Sequence, residues 1–328
     1  MSQPPAPAVA PFAPPPPALP LVRSRGVLAH LGWEAILLVA VLGTAVLVAA
    51  TGVLFRGPTP WYTLAAVGLL ATGLALSLRT ATPNLAVGAT AVLSGAVYAE
   101  LAQDGGAGLP AGIVAVVVAL ALGLVLAVIV GLTSAPAWAV TLGGMAVAQA
   151  ITFALLEGRT LPVGSLSSGT GMGVFWTLVF VAASVGGGVL WLVPGVRKAL
   201  AANRTADDPV RFRPAKLVGA LAGIGGSSLL AGLSGVVFVT YLGAATPSGD
   251  NLLVAAGAVL LGGVSAFGGR GGIAGTVLAT TLLVFANQGL SQTDAPRWVV
   301  FYLPAAFAIL LGVVVSRVLE ALAGPYER

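Results

Sequence analysis

Five side chains inside apolar stretches of this chain can make directed hydrogen bonds: Asn84, Thr141, Gln149, Asn287 and Gln288. Amides and hydroxyls offer donors and acceptors without a net charge. They suit a neutral polar solute that must cross an apolar medium. They also bond neighbouring helices, the commoner role of an intramembrane amide. Other chemistry lacks its parts. There is no cysteine, so there is no disulfide, thiolate metal site or thiol nucleophile. The single histidine, His30, excludes His-clustered zinc and most histidine acid–base chemistry. The only lysines, Lys198 and Lys216, lie outside any G-x-x-x-x-G-K-(S/T) loop, so the chain has no P-loop with which to hydrolyse ATP. These residues call for no metal and no cofactor, and the expected role is not enzymatic.

Two polar or glycine-rich segments stand out. Leu261–Gly275 reads LGGVSAFGGRGGIAG. Gly269, Gly271 and Ala274 fit a loose dinucleotide pattern, but that pattern has meaning only between a strand and a helix. Between two short apolar runs the expectation is a tight, Gly-permitted turn between close-packed helices. Short, glycine-interrupted segments are also where transport paths lie. The longest polar loop, Pro194–Lys216, carries six of the fifteen basic residues together with Asp207 and Asp208. One reading is a topology anchor beside anionic lipid. The other is a docking surface for a cytoplasmic partner, formed by Arg204, Asp207, Asp208, Arg211 and Arg213.

The elements that position these residues follow from composition. Of 328 residues, 58% are hydrophobic and 8% charged, against roughly 25% charged in a soluble domain. Mean hydropathy is +1.02. So few charges cannot cover a soluble globule, and so apolar a chain is not disordered. A bilayer core of about 30 Å needs about 20 helical residues. Ten runs qualify: Ala35–Leu54, Trp61–Leu78, Asn84–Leu101, Pro110–Leu132, Pro136–Leu156, Met172–Val193, Leu217–Leu242, Leu252–Phe267, Ile273–Leu290 and Trp298–Val315. The fold expected is an all-α polytopic membrane protein of about ten transmembrane helices. The break at Thr133–Ala135 is the most fragile, because it carries no charge.

With the N-terminus inside, twelve Lys and Arg fall on the cytoplasmic side and three outside. This bias predicts cytoplasmic N- and C-termini. The net charge of +5 is spread between apolar runs, which points to membrane topology and not to nucleic acid. Residues 1–30 read as a Pro-rich, disordered cytoplasmic tail, with nine prolines in the first twenty positions. Residues 31–318 form the transmembrane domain with its cytoplasmic loop 194–216, and 319–328 a short tail. Glu34, Arg79, Glu100 and Glu157 sit at run ends, where they are expected to reach water or headgroups. One internal repeat is visible. Asn84–Ala99, NLAVGATAVLSGAVYA, and Asn251–Ala266, NLLVAAGAVLLGGVSA, agree at ten of sixteen positions. Five runs apart, the copies cross in opposite directions, as in two inverted repeats.

The string LGGVSAFGGRGGIAGTVLATTLLVFANQGL at Leu261–Leu290 resembles the permease subunits of ribose-type ABC importers. The resemblance rests on Gly262, Gly263, Ser265, Gly268, Gly269, Arg270, Gly271, Gly275 and Thr276, then on Asn287, Gln288, Gly289 and Leu290. PAWAVTL at Pro136–Leu142 and NLAVG at Asn84–Gly88 are further matches. The resemblance implies a multi-pass subunit in the lipid bilayer of a prokaryotic plasma membrane, paired with itself or a homologous permease. Two cytoplasmic ABC ATPase subunits would drive it, and an extracytoplasmic solute-binding protein would deliver a sugar. The chain departs from the family where Asn84 replaces an acid, where Leu252, Leu253 and Val254 replace a polar run, and across Ala201–Phe212. These departures fit a divergent, heteromeric or non-transporting member. Two other readings stand beside it: a self-powered secondary carrier, and a membrane scaffold whose Pro-rich tail recruits a partner.

Overall fold

In a computed structural model of the chain, the described residues are 20–50, 52, 57–103, 108–163, 169–201, 203, 214–247, 251–266, 268 and 271–322, without the side chains of 20–27. Arg204, Asp207, Asp208, Arg211, Arg213, Gly269 and Arg270 lie outside this set, as do residues 1–19.

Each apolar run becomes a helix. The helices are α1 (Pro20–Ala50), α2 (Thr59–Arg79), α3 (Val87–Ala102), α4 (Gly108–Thr133), α5 (Ala137–Leu156), α6 (Thr170–Leu192), α7 (Pro194–Leu200), α8 (Pro214–Ala220), α9 (Gly226–Leu242), α10 (Leu252–Leu261), α11 (Gly275–Leu290) and α12 (Arg297–Leu322). A π-helical turn, Leu221–Gly225, joins α8 to α9. Among the described residues, seven helices are long and apolar enough to cross a membrane, α8–α9 counting as one. The runs at α3, α10 and α11 give helices of 16, 10 and 16 residues. Turns at Thr80–Ala86 and around Gly262–Ala274 take up the remainder. The break at Thr133–Ala135 is real, with Ser134 at φ 53° between α4 and α5.

Helix boundaries differ from the apolar runs at both ends of the chain. α1 begins at Pro20, so residues 20–30 are helical and not part of an unstructured tail. α12 continues to Leu322, past the limit of 318. Hydropathy marks only the apolar part of a helix, and backbone hydrogen bonds carry it on into polar flanks.

α2 and α9 form the centre: 83% of the best membrane-length stretch of α2 is buried, and 61% of that of α8–α9. The corresponding share for α1, α4, α5, α6 and α12 is 22–33%, which makes them the periphery. Lipid gives apolar helices no hydrophobic reason to associate, so close backbone approach and hydroxyl bonds do the work. A Cβ at Gly235 of α9 would lie 2.0 Å from Ala91 O of α3, and one at Gly73 of α2 would lie 2.8 Å from Ser227 O. Ser234 Oγ donates to Ala66 O at 2.7 Å and Ser94 Oγ to Gly232 O at 3.0 Å. Gly219 and Gly223 meet different partners. Gly219 lies against Leu200, and Gly223 against the Thr80 and Thr82 hydroxyls.

Contacts sort the element ends into two faces. On the first face the turn after α10 meets the end of α2, with Gly268 against Leu78 and Ala81. The N-terminal half of α1 and the end of α12 also reach that turn, through His30 and Leu319 beside Gly263. On the second face β1 (Leu161–Pro162) pairs antiparallel with β2 (Ala244–Ala245), joining the segments after α5 and α9. α3 therefore starts where α10 ends, and the two copies of the repeat run in opposite directions.

Candidate functional site

The first polar constellation is the junction between α2 and α3. Pro83 and its predecessors cannot continue α2, since the residue before a proline is driven out of the helical region. Ala81 adopts φ 58°. The turn's exposed N–H groups must then find partners inside the protein. Asn84 Oδ1 accepts from Ala86 N at 3.0 Å, while its Nδ2 donates to Ser227 Oγ at 2.7 Å and Ser228 Oγ at 3.3 Å. Thr141 Oγ1 accepts from Leu85 N at 3.1 Å and donates to Ala137 O at 2.8 Å. Thr80 and Thr82 share a hydroxyl bond of 2.8 Å over Gly223, where a Cβ would stand 2.0 Å from Thr80 Oγ1. Asn84 and Thr141 are both 0% exposed. The structure brings these two predicted path residues together and spends both on the junction.

The second constellation is the glycine-rich turn between α10 and α11. Gly263 and Gly268 adopt φ 80° and 82°, a left-handed conformation that other residues reach only at a cost. Gly262 and Gly275 bring the two helix ends together, since a Cβ on Gly275 would lie 2.0 Å from Gly262 O. Four side chains from outside grip the turn. Trp33 Nε1 donates to Leu261 O at 2.7 Å, and Arg79 Nη2 to Gly272 O at 2.8 Å. Glu34 Oε1 accepts from Ala274 N at 2.9 Å and Gly275 N at 3.0 Å, and Ser265 bonds Glu320. Gly271 lies against the Arg79 guanidinium. Helices flank this turn on both sides, the wrong setting for a dinucleotide fingerprint.

Arg79 was expected to reach water or headgroups; instead it is 3% exposed. It ends α2, and the glycine-rich turn folds over that end. Sequence position shows where a helix stops but not what covers its end.

The third constellation lies towards the second face. Asn287 and Gln288 follow Gly275 by twelve and thirteen residues, about 18 Å along α11. Asn287 Oδ1 and Gln288 Oε1 are buried, with no donor in reach among the described residues, and Tyr62 OH shares that state. Gln149 is half-buried on α5, away from this pair in the chain. A cleft of about 30 Å³ opens between α3 and α9, lined by Val92, Gly95, Ser234, Phe238, Thr246 and Asn251 among others. Its described lining carries no charge. It holds about two waters, since one needs roughly 10–15 Å³. None of the five predicted path residues lines it. Asn251, which the repeat pairs with Asn84, lines this cleft and was not among the predicted path residues.

No family model matches the chain, and no solved structure matches it. Among curated proteins, the chain is 28% identical over 242 residues to the probable ABC transporter permease protein y4mJ of Sinorhizobium fredii, covering 68% of this chain and 70% of that protein. It is 28% identical over 263 residues to the ribose import permease protein RbsC of Escherichia coli, covering 76% and 81%. A third relative is the autoinducer 2 import system permease protein LsrD of Yersinia pestis, 38% identical over 87 residues, 26% of each chain. The chain is thus similar, at modest identity, to ABC importer permeases that include a ribose permease. These relatives are permease subunits, the transport components of importers and not enzymes.

Proposed function

We propose that the chain is the membrane subunit of an ABC importer for a small, uncharged polar solute such as a sugar. The observation that carries this reading is the similarity to the ribose import permease over 76% of the chain. The third constellation supports the solute class. A buried carbonyl oxygen without a donor costs about 1–3 kcal/mol. Asn287 and Gln288 each hold one such oxygen, able to accept from a hydroxyl donor. The cleft near Asn251 offers polar lining without charge, which suits a neutral solute. At about 30 Å³ it does not admit a sugar, so α3 and α9 must separate during transport.

In this reading ten helices lie in the plasma membrane of a prokaryote, with both termini cytoplasmic. The twelve-to-three distribution of basic residues supports that orientation, as does the meeting of His30 and Leu319 at Gly263. The chain pairs with itself or a homologous permease. An extracytoplasmic binding protein delivers the solute. Cytoplasmic ATPase subunits engage Arg204, Asp207, Asp208, Arg211 and Arg213, since the chain has no P-loop of its own. Asn287, Gln288 and Gln149 line the path, and Asn84 and Thr141 hold its wall.

Uptake assays with tritiated ribose test the proposal. The chain is reconstituted with a candidate ABC ATPase and solute-binding protein from the same genome. Uptake that needs ATP and falls when Asn287 and Gln288 become alanine supports it. Uptake by the chain alone under an ion gradient would instead make it a secondary carrier. Crosslinks to the ATPase that avoid residues 197–216 would remove the docking assignment.

A further inference from the structure

Helix α11 starts without a cap from its own neighbourhood. Its N-cap residue is Ala274, which has no side-chain acceptor. The first N–H groups of a helix have no partner within it, and leaving them bare in an apolar setting is unfavourable. Here the acceptor comes from another helix. Glu34 of α1 takes both Ala274 N and Gly275 N on one carboxylate oxygen. A negative charge there also meets the positive end of the α11 dipole. The sequence leaves room for it, because a Cβ on Gly272 would lie 2.4 Å from that oxygen. From the other side Arg79 of α2 donates to Gly272 O. A buried guanidinium needs an anion near it, and Glu34 is the acid whose charge bears on Arg79. Helix α1 is otherwise peripheral, with 22% of its membrane-length stretch buried, and packs along α11 as far as Val48 beside Gly289.

We propose that Glu34 and Arg79 are positioning residues for the transport path. The pair pins the start of α11, and through that helix it sets where Asn287 and Gln288 stand. Peripheral α1 thereby steers the helix that lines the path. The purpose assigned here rests on the path reading above, but the test does not.

The chain has no cysteine, so introduced pairs report cleanly. A Cβ on Gly289 would lie 3.1 Å from Val48 Cγ2, at the far end of the α1–α11 contact. The full-length chain carrying Val48→Cys and Gly289→Cys is oxidised in nanodiscs, and amide exchange is followed at 272–278. Glu34→Ala is expected to slow the disulfide about fivefold and speed exchange at Ala274 and Gly275 about tenfold. Glu34→Gln keeps an acceptor oxygen and should stay within about twofold of the unsubstituted chain on exchange. Arg79→Ala should slow the disulfide too, and the double variant should be no worse than the worse single one. Unchanged disulfide and exchange rates in Glu34→Ala overturn the proposal, as do additive effects in the double variant. If Glu34→Ala does not assemble, the unsubstituted chain decides. Exchange at Ala274 and Gly275 about tenfold slower than at Thr170 and Gly171, behind the side-chain-free cap Gly169 of α6, supports the pin, and equal rates overturn it. Neither readout involves a solute, so a failed uptake test of Asn287 leaves this one standing.

Discussion

The two copies of the internal repeat begin with the same residue and use it differently. Asn84 precedes α3 on the first face, 0% exposed, with both ends of its amide bonded. Asn251 precedes α10 on the second face, half-buried, and makes no side-chain cap to its helix. It lines the cleft between α3 and α9. The cause lies in what stands opposite. Asn84 faces Ser227 and Ser228 beside a π-helical turn, and Thr141 closes the far side. Asn251 faces the cleft beside Thr246, near the short β1–β2 pairing. Similar local sequence therefore gives a fastening at one end of the bundle and a group lining a cleft at the other.

The contrast can be broken experimentally, beginning where the effect is largest. Gly235→Ala places a methyl 2.0 Å from Ala91 O, so the backbones of α3 and α9 must separate around the cleft. A loss of about 3 kcal/mol or more is expected, read as a lower denaturation midpoint in mild detergent. Asn84→Ala strips Ala86 N of its acceptor and both serines of their donor, and should lose about 2–3 kcal/mol in the same assay. Thr141→Val removes the acceptor for Leu85 N and should lose about 1–2 kcal/mol. Asn251→Ala should stay within about 0.5 kcal/mol of the unsubstituted chain. A loss at Asn251 equal to that at Asn84 would erase the distinction between the two copies.

Accessibility sharpens the same comparison. Asn251→Cys should react with a water-soluble thiol reagent about tenfold or more faster than Thr141→Cys, since buried thiols are inert. Equal rates would mean that the cleft admits no water.

Much of the fold was legible in the residues. Every apolar run became a helix, and the uncharged break at Thr133–Ala135 proved to be a real one. The lengths of α3, α10 and α11 were not legible, because Asn84–Leu101 and Leu252–Phe267 are apolar beyond the point where the helix begins or ends. The bonding state of the polar side chains was not legible: Asn287 and Gln288 keep buried oxygens without a donor among the described residues, whereas Asn84 and Thr141 are committed to backbone and hydroxyl partners. Glu34 and Arg79 were read as run-end residues that reach water or headgroups, yet together with Trp33 they grip one turn from two helices. Their partners lie 193 or more positions further along the chain, so no local pattern announces them.

The sequence by itself determined that this chain is helical, apolar enough to cross a membrane repeatedly and free of a P-loop, because hydropathy and backbone hydrogen bonding are local properties of a run of residues. Only the tertiary structure decided which polar side chains are consumed and which face open space. That outcome depends on the group standing opposite, and here the opposite group belongs to a distant helix.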